Sequence, residues 1–168
     1  MKDIFHAADL MTRPVRRVTS RTTVREATRF LVRHGIGGAP VEDEHGRWVG
    51  VFSMNDLART VASRLSEPAA DRTLEVRGAV EPGSLPALLG LDELQVRDVM
   101  SPGLVSVFPG ATLEEVIHSM QSSRVHRVFV LEEENATLEG VITTMDVLRW
   151  LDGCANGIAP STPLHRIP

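Results

Sequence analysis

Gly140-Val141-Ile142-Thr143-Thr144-Met145-Asp146 decides how this chain is read, because Gly50-Val51-Phe52-Ser53-Met54-Asn55-Asp56 precedes it by 90 positions on the same plan. In both stretches a glycine opens a short apolar run, a hydroxyl residue follows, and an aspartate stands three residues further on. Working outward, the offset settles at 89 positions. Ala39-Pro40-Val41 maps onto Val128-Phe129-Val130. Thr23-Val24-Arg25-Glu26-Ala27 maps onto Thr112-Leu113-Glu114-Glu115-Val116, and Asp9-Leu10-Met11-Thr12 onto Asp98-Val99-Met100-Ser101. Four matches in order at a near-constant offset imply a duplicated unit of roughly 60 residues.

Each copy reads as strand, helix, strand, strand, helix. Residues 15–18 and 104–107 form the first strand. Thr23-x-x-Glu26 and Thr112-x-x-Glu115 are capping boxes that start the first helix. Leu113, Val116, Ile117 and Met120 fall at i, i+3, i+4 and i+7, one apolar stripe; Val24, Ala27, Leu31 and His34 trace the equivalent face, with Gly35 as the C-cap. Two apolar strands follow in each copy, at 38–42 and 48–52, then 125–131 and 138–142. Their connecting turns, Asp43-Glu44-His45-Gly46 and Glu133-Glu134-Asn135, are polar. A closing helix follows each aspartate, lined by Leu57, Val61 and Leu65 in one copy and by Val147, Leu148 and Leu151 in the other. The expected organisation is repeat 1 over 1–65, a linker over 66–93 in which Leu85 to Leu91 reads as one helical turn, repeat 2 over 94–151, and a mobile Gly- and Pro-rich tail over 152–168. A copy of this size is marginal alone, so the two copies are expected to pack on each other about an approximate twofold axis.

Composition narrows the function. A hydrophobic fraction of 42% and a charged fraction of 24% are those of an ordinary soluble globular protein. The net charge of -4 argues against a dedicated nucleic-acid binder. Arg25, Arg29 and Arg33 form a basic row on the first long helix; a solvated helix face explains it more simply than an anionic partner. Cys154 is the single cysteine, so no internal disulfide forms. No run reaches the ~20 apolar residues needed to span a bilayer, and residues 1–10 lack the apolar core of a secretory signal; a cytoplasmic protein without membrane attachment is expected. The histidines at 6, 34, 45, 118, 126 and 165 show no metal-ligand spacing. No Walker loop, nucleophile elbow or catalytic carboxylate pair is present, so an enzyme is not expected.

The opening Asp-x-Met motif, the threonine-led helix and the closing Gly-h-h-Ser/Thr-x-x-Asp, where h is an apolar residue, resemble the CBS domain family over both copies. The resemblance implies an α/β fold of two CBS repeats (β-α-β-β-α each) packed sheet to sheet, and frequent homodimers of such pairs. It implies ligand clefts for AMP, ADP, ATP or related adenosyl compounds. It also implies that the closing aspartate holds ribose hydroxyls while basic residues hold phosphate.

Carried onto this chain, the expectation is a ligand-sensing regulatory module in which Asp146, Thr143, His126 and Arg127 serve one cleft and Asp56 and Ser53 the other. Ser53-x-x-Asp56 and Thr143-x-x-Asp146 also read as helix N-caps. Both use aspartate where the other two boxes use glutamate. The shorter carboxylate is expected to reach the cap less well and to point outward, accepting from two vicinal hydroxyls. Arg127 offers a planar fork for phosphate oxygens and His126 a ring donor, although adjacent strand residues face opposite ways. Gly37 and Gly38 stand in their place in the first copy and supply no charge, so the clefts are expected to differ in affinity. Thr19 could touch the base or ribose and equally reads as a turn residue. The alternatives are a ligand-free oligomerisation module and, less simply, a nucleic-acid binder on the arginine row.

Overall fold

The computed structural model describes residues 5–66, 90–132 and 137–156. The expected helical turn at Leu85 to Leu91, the turn at Glu133-Glu134-Asn135 and most of the tail lie largely or wholly outside the described residues. The chain divides into two compact units: residues 16–103, and residues 1–15 together with 104–168.

The continuous unit holds a sheet in the order β1-β2-β3-β4, made of Val18–Thr19, Gly38–Glu42, Trp48–Ser53 and Ser101–Pro102. A parallel pair needs a crossover, and helix α2 (Val24–Arg33) supplies it between β1 and β2. Its start is the expected capping box: the Glu26 N–H donates to Thr23 Oγ1 at 3.2 Å, and the Thr23 N–H donates back to Glu26 Oε2 at 3.2 Å. It ends at Gly35, whose φ of 57° lies in the left-handed region that favours glycine. β2 and β3 form an antiparallel hairpin with a bulge at Val41/Glu42. Its turn is organised by Asp43, whose Oδ1 accepts from the His45 N–H at 2.8 Å and the Arg47 N–H at 2.9 Å. Helix α3 (Met54–Ser66) follows β3 directly. The one-turn helix α4 (Val96–Val99) leads into β4, which pairs with β3 through Gly50↔Pro102 and Val51↔Ser101.

The discontinuous unit repeats this plan. Helix α1 (Ala7–Leu10) plays the part of α4. β5 (Ser106–Val107), β6 (Arg127–Leu131) and β7 (Leu138–Thr143) form the sheet, α5 (Leu113–Ser122) is the crossover, and α6 (Thr144–Ala155) closes it. In place of a fourth strand, Thr12 bridges Val141, with N···O distances of 2.8 and 3.2 Å. The repeats of the sequence therefore differ from the compact units. The opening motif of each repeat adds to the edge of the other repeat's sheet, so residues 5–15 fold with 104–156 and residues 90–103 with 16–66.

Each unit has its own core. Val24, Ala27, Leu31, Val41 and Phe52 are fully buried in the first; Val116, Val128, Val130 and Ile142 are fully buried in the second, with Met11 nearly so. The helix stripes read from sequence face these cores, with His34 turned to contact Phe30, ring centroids 4.4 Å apart. The closing helices depart from expectation. Leu65, Leu148 and Leu151 are exposed, while Trp150 packs inward against Phe5, ring centroids 5.1 Å apart. An apolar stripe fits several rotations of a short helix, and the strand-to-helix join fixes which one is used.

Candidate functional site

The strand-to-helix join at the end of β3 and of β7 carries the two aspartates expected from the sequence to bind ribose. Both are buried, Asp56 at 2% and Asp146 at 6% relative exposure. A buried carboxylate must be hydrogen-bonded. At β7, the Thr143 backbone N–H donates to Asp146 Oδ2 at 2.8 Å and the Thr143 hydroxyl donates to the same oxygen at 2.6 Å. At β3, the Ser53 N–H and hydroxyl donate to Asp56 Oδ2 at 2.7 and 2.5 Å.

The expectation that the shorter aspartate reaches the cap less well than glutamate is not met, and the expected capping is present. Both aspartates reach it, because an extended cap residue (Thr143, φ -109°, ψ 162°) turns its N–H toward the third helical residue. Capping occupies only one oxygen, so Oδ1 is available for a second task. At Asp146 it faces the Arg149 guanidinium at 3.6 Å, beyond ordinary hydrogen-bond reach. At Asp56 it accepts from the Ser101 hydroxyl at 2.9 Å and from Arg59.

Arg127 begins β6 and is the register partner of Thr143, while Gly38 partners Ser53 at the equivalent place in the other sheet. His126 is exposed, and its carbonyl accepts from the Thr144 N–H at 3.1 Å. The Gly37 carbonyl accepts from the Met54 N–H at 3.1 Å in the same way. The structure thus brings Arg127, Thr143 and Asp146 to one end of the β6–β7 pair, with His126 adjoining. Thr19 is elsewhere. It partners Glu42, at the opposite end of β2 from the Gly38–Ser53 pair and about 13 Å along the strand. Its hydroxyl hydrogen-bonds that of Thr22 at 2.8 Å. In the arginine row, Arg25 donates to both oxygens of Asp92, at 3.1 and 3.0 Å, so the row is not a uniform anion-facing surface.

Arg59, Arg149 and Ser101 were not singled out by the sequence reading. Their signal was present: Asp56-Leu57-Ala58-Arg59 and Asp146-Val147-Leu148-Arg149 set opposite charges at helical i, i+3 in both copies. Beside Asp56 lies an open groove of about 540 Å³, bordered by Arg59, Thr60, Leu94, Met100 and Ser101, all of the continuous unit. Among the described residues no cluster of His, Cys, Asp and Glu could hold a metal ion. No described helix is long and apolar enough to cross a membrane.

Known proteins resemble this chain in sequence and fold. A protein of Methanocaldococcus jannaschii without an assigned function, MJ1426, is 24% identical over 157 residues, covering 89% of this chain and 92% of its own. The arabinose 5-phosphate isomerase of Escherichia coli is 26% identical over 149 residues, but the chain spans only 36% of that enzyme. The chain likewise spans 23% of the L-aspartate semialdehyde sulfurtransferase of M. jannaschii, at 21% identity over 86% of this chain. Among solved structures, the CBS domain pair of MJ0100, in complex with 5'-methylthioadenosine and S-adenosyl-L-methionine, superposes with a TM-score of 0.68 at 19% identity, covering 90% of this chain and 99% of that one. CBSX2 in complex with AMP superposes with a TM-score of 0.65 at 23% identity, covering 90% and 98%. The CBS domain model matches twice, over residues 7–63 and 96–153. With two sheets, each packed with helices as in solved CBS pairs, and two matched copies spanning most of its length, this chain belongs to the CBS domain family.

Proposed function

We propose that the chain is a regulatory module without catalytic machinery that binds an adenine nucleotide of the AMP, ADP or ATP class and passes its occupancy to a partner protein. Asp146 accepts the ribose hydroxyls through Oδ1, Thr143 holds the carboxylate in place, and Arg127 and His126 face the phosphate. Asp56 and Ser53 form the corresponding place in the other unit. The observation that carries this reading is the state of Asp146. It is a buried carboxylate with one oxygen consumed by the helix cap, and its other oxygen lies 3.6 Å from the Arg149 guanidinium, the nearest cation among the described residues. An oxygen that accepts no hydrogen bond among the described residues is open to incoming donors, and a vicinal diol supplies two. The adenosyl ligands of MJ0100 and the AMP of CBSX2 support the same chemistry. Regulation requires that the nucleotide bind two states of the module unequally.

Thermal unfolding with AMP, ADP, ATP and S-adenosylmethionine tests the reading. A ligand at a hundred times its dissociation constant adds about 2.7 kcal/mol, a clear rise in melting temperature. An unchanged melting temperature at millimolar concentrations of all four overturns it.

A ligand-free oligomerisation module is the second reading. The exposed Met145, Leu148 and Leu151 on α6 favour self-association, and a homodimer is part of the proposal in either case. Sedimentation of the protein with and without nucleotide separates association from ligand response.

A further inference from the structure

The two aspartates of the repeated motif are closed in different ways. A carboxylate offers about four acceptor positions. Asp56 uses all of them: the Ser53 N–H and hydroxyl on Oδ2, and Arg59 with the Ser101 hydroxyl on Oδ1. Ser101 is fixed in turn, because its hydroxyl accepts from Arg59 at 3.0 Å while donating to Asp56. Among the described residues Asp146 uses two, both on Oδ2. Arg149 occupies the place of Arg59 but stops at 3.6 Å. Thr12 occupies the place of Ser101, on the same edge of its sheet opposite Val141 as Ser101 is opposite Val51. Among the described residues no hydrogen bond joins Thr12 to Asp146. A threonine on an extended strand has a restricted χ1, whereas a serine hydroxyl turns to suit its acceptor.

We propose that Arg59 and Ser101 occupy the ligand-accepting oxygen of Asp56, so that the chain binds one nucleotide, at Asp146, and that serine at 101 against threonine at 12 selects which aspartate is open. The proposal rests on the adenine-nucleotide reading above. A ribose at Asp56 must displace two charge-assisted hydrogen bonds before making its own, which weakens that place by at least about 10-fold relative to Asp146.

Calorimetric titration of the whole chain with AMP tests this. The wild type takes up one AMP per chain, and Asp146→Asn abolishes it. Arg59→Met/Ser101→Ala takes up two, the added one being lost again with Asp56→Asn. Conversely, Thr12→Ser lowers affinity at Asp146 by about 10-fold. Should the double variant fail to fold by circular dichroism, Ser101→Ala alone and Thr12→Ser give the same reading. Two AMP per wild-type chain, or one in both the wild type and the Arg59/Ser101 variant, overturns the proposal and leaves the nucleotide reading standing. No uptake by either overturns both. No uptake by the wild type but one by the variant, lost with Asp56→Asn, supports the closure at Asp56 and overturns the role of Asp146.

Discussion

Met100 lies directly over Gly50: a Cβ placed on that glycine would stand 2.9 Å from the Met100 sulfur and 2.5 Å from the carbonyl oxygen of Ser101. Met11 lies over Gly140 in the same way, its side-chain carbons 2.7 Å from the position a Cβ would take. The glycine that opens each Gly-h-h-Ser/Thr-x-x-Asp stretch is thus the floor on which the other repeat's Asp-x-Met motif sits. Gly50→Ala is expected to destabilise the protein by about 1–3 kcal/mol, as overpacking does. Shortening Met100 is not expected to rescue it, because the nearest atom is backbone. Urea midpoints of Gly50→Ala and Gly50→Ala/Met100→Ala check this.

Arg124 takes the place at the end of α5 that Gly35 takes at the end of α2. Its φ is 53°, and its N–H donates to the Gln121 carbonyl at 3.1 Å as that of Gly35 does to Val32 at 3.0 Å. A side chain in the left-handed region is strained. Arg124→Gly is expected to stabilise the protein by about 0.5–1 kcal/mol, raising the melting temperature, while Gly35→Arg lowers it.

Asp43 is held at a pKa of about 2, below its ordinary 3.8, chiefly by the Arg47 backbone N–H, with the Arg47 side chain and the His45 N–H adding to it. A carboxylate lowered on folding contributes stability that is full above 3.8 and is lost as pH falls through about 2. The hairpin turn is therefore expected to be indifferent to pH between 5 and 8. NMR titration of the Asp43 carboxyl should show a midpoint near 2. In Asp43→Asn the acid limb of the stability curve should be shallower.

Asp146 combines a helix cap with the proposed ribose contact, and two substitutions separate them. Asp146→Ala removes both and is expected to cost about 1–2 kcal/mol along with the nucleotide response. Asp146→Asn keeps an oxygen for the cap and presents an amide donor where hydroxyl donors would arrive. It is expected to cost only a few tenths of a kcal/mol while losing the response. Melting curves with and without AMP distinguish the two.

Much of this architecture could be read from local pattern. The Thr23/Glu26 and Thr112/Glu115 boxes, Gly35 as a stop, and the strands read at 38–42 and at 125–131 (observed as Arg127–Leu131) all depend on residues a few positions apart. What local pattern does not encode is pairing across long separations. The union of Ser101 with Val51, and of Thr12 with Val141, depends on which sheet edge the opening motif reaches. Nothing in Asp98-Val99-Met100 names that edge. The aspartates themselves were visible, but not that Oδ2 would be spent on the cap and Oδ1 left to Ser101 or Arg149. That division is set by the geometry of the cap and by a residue 45 positions away. The rotation of α3 and α6, which leaves Leu65, Leu148 and Leu151 outside, was equally beyond the reach of periodicity.

The exchange of opening motifs bears on whether one repeat can stand alone. A half-length polypeptide bearing one repeat would have a sheet whose border glycine lacks its methionine, and a methionine segment with no glycine to cover. Two such polypeptides are expected to satisfy each other by trading these segments.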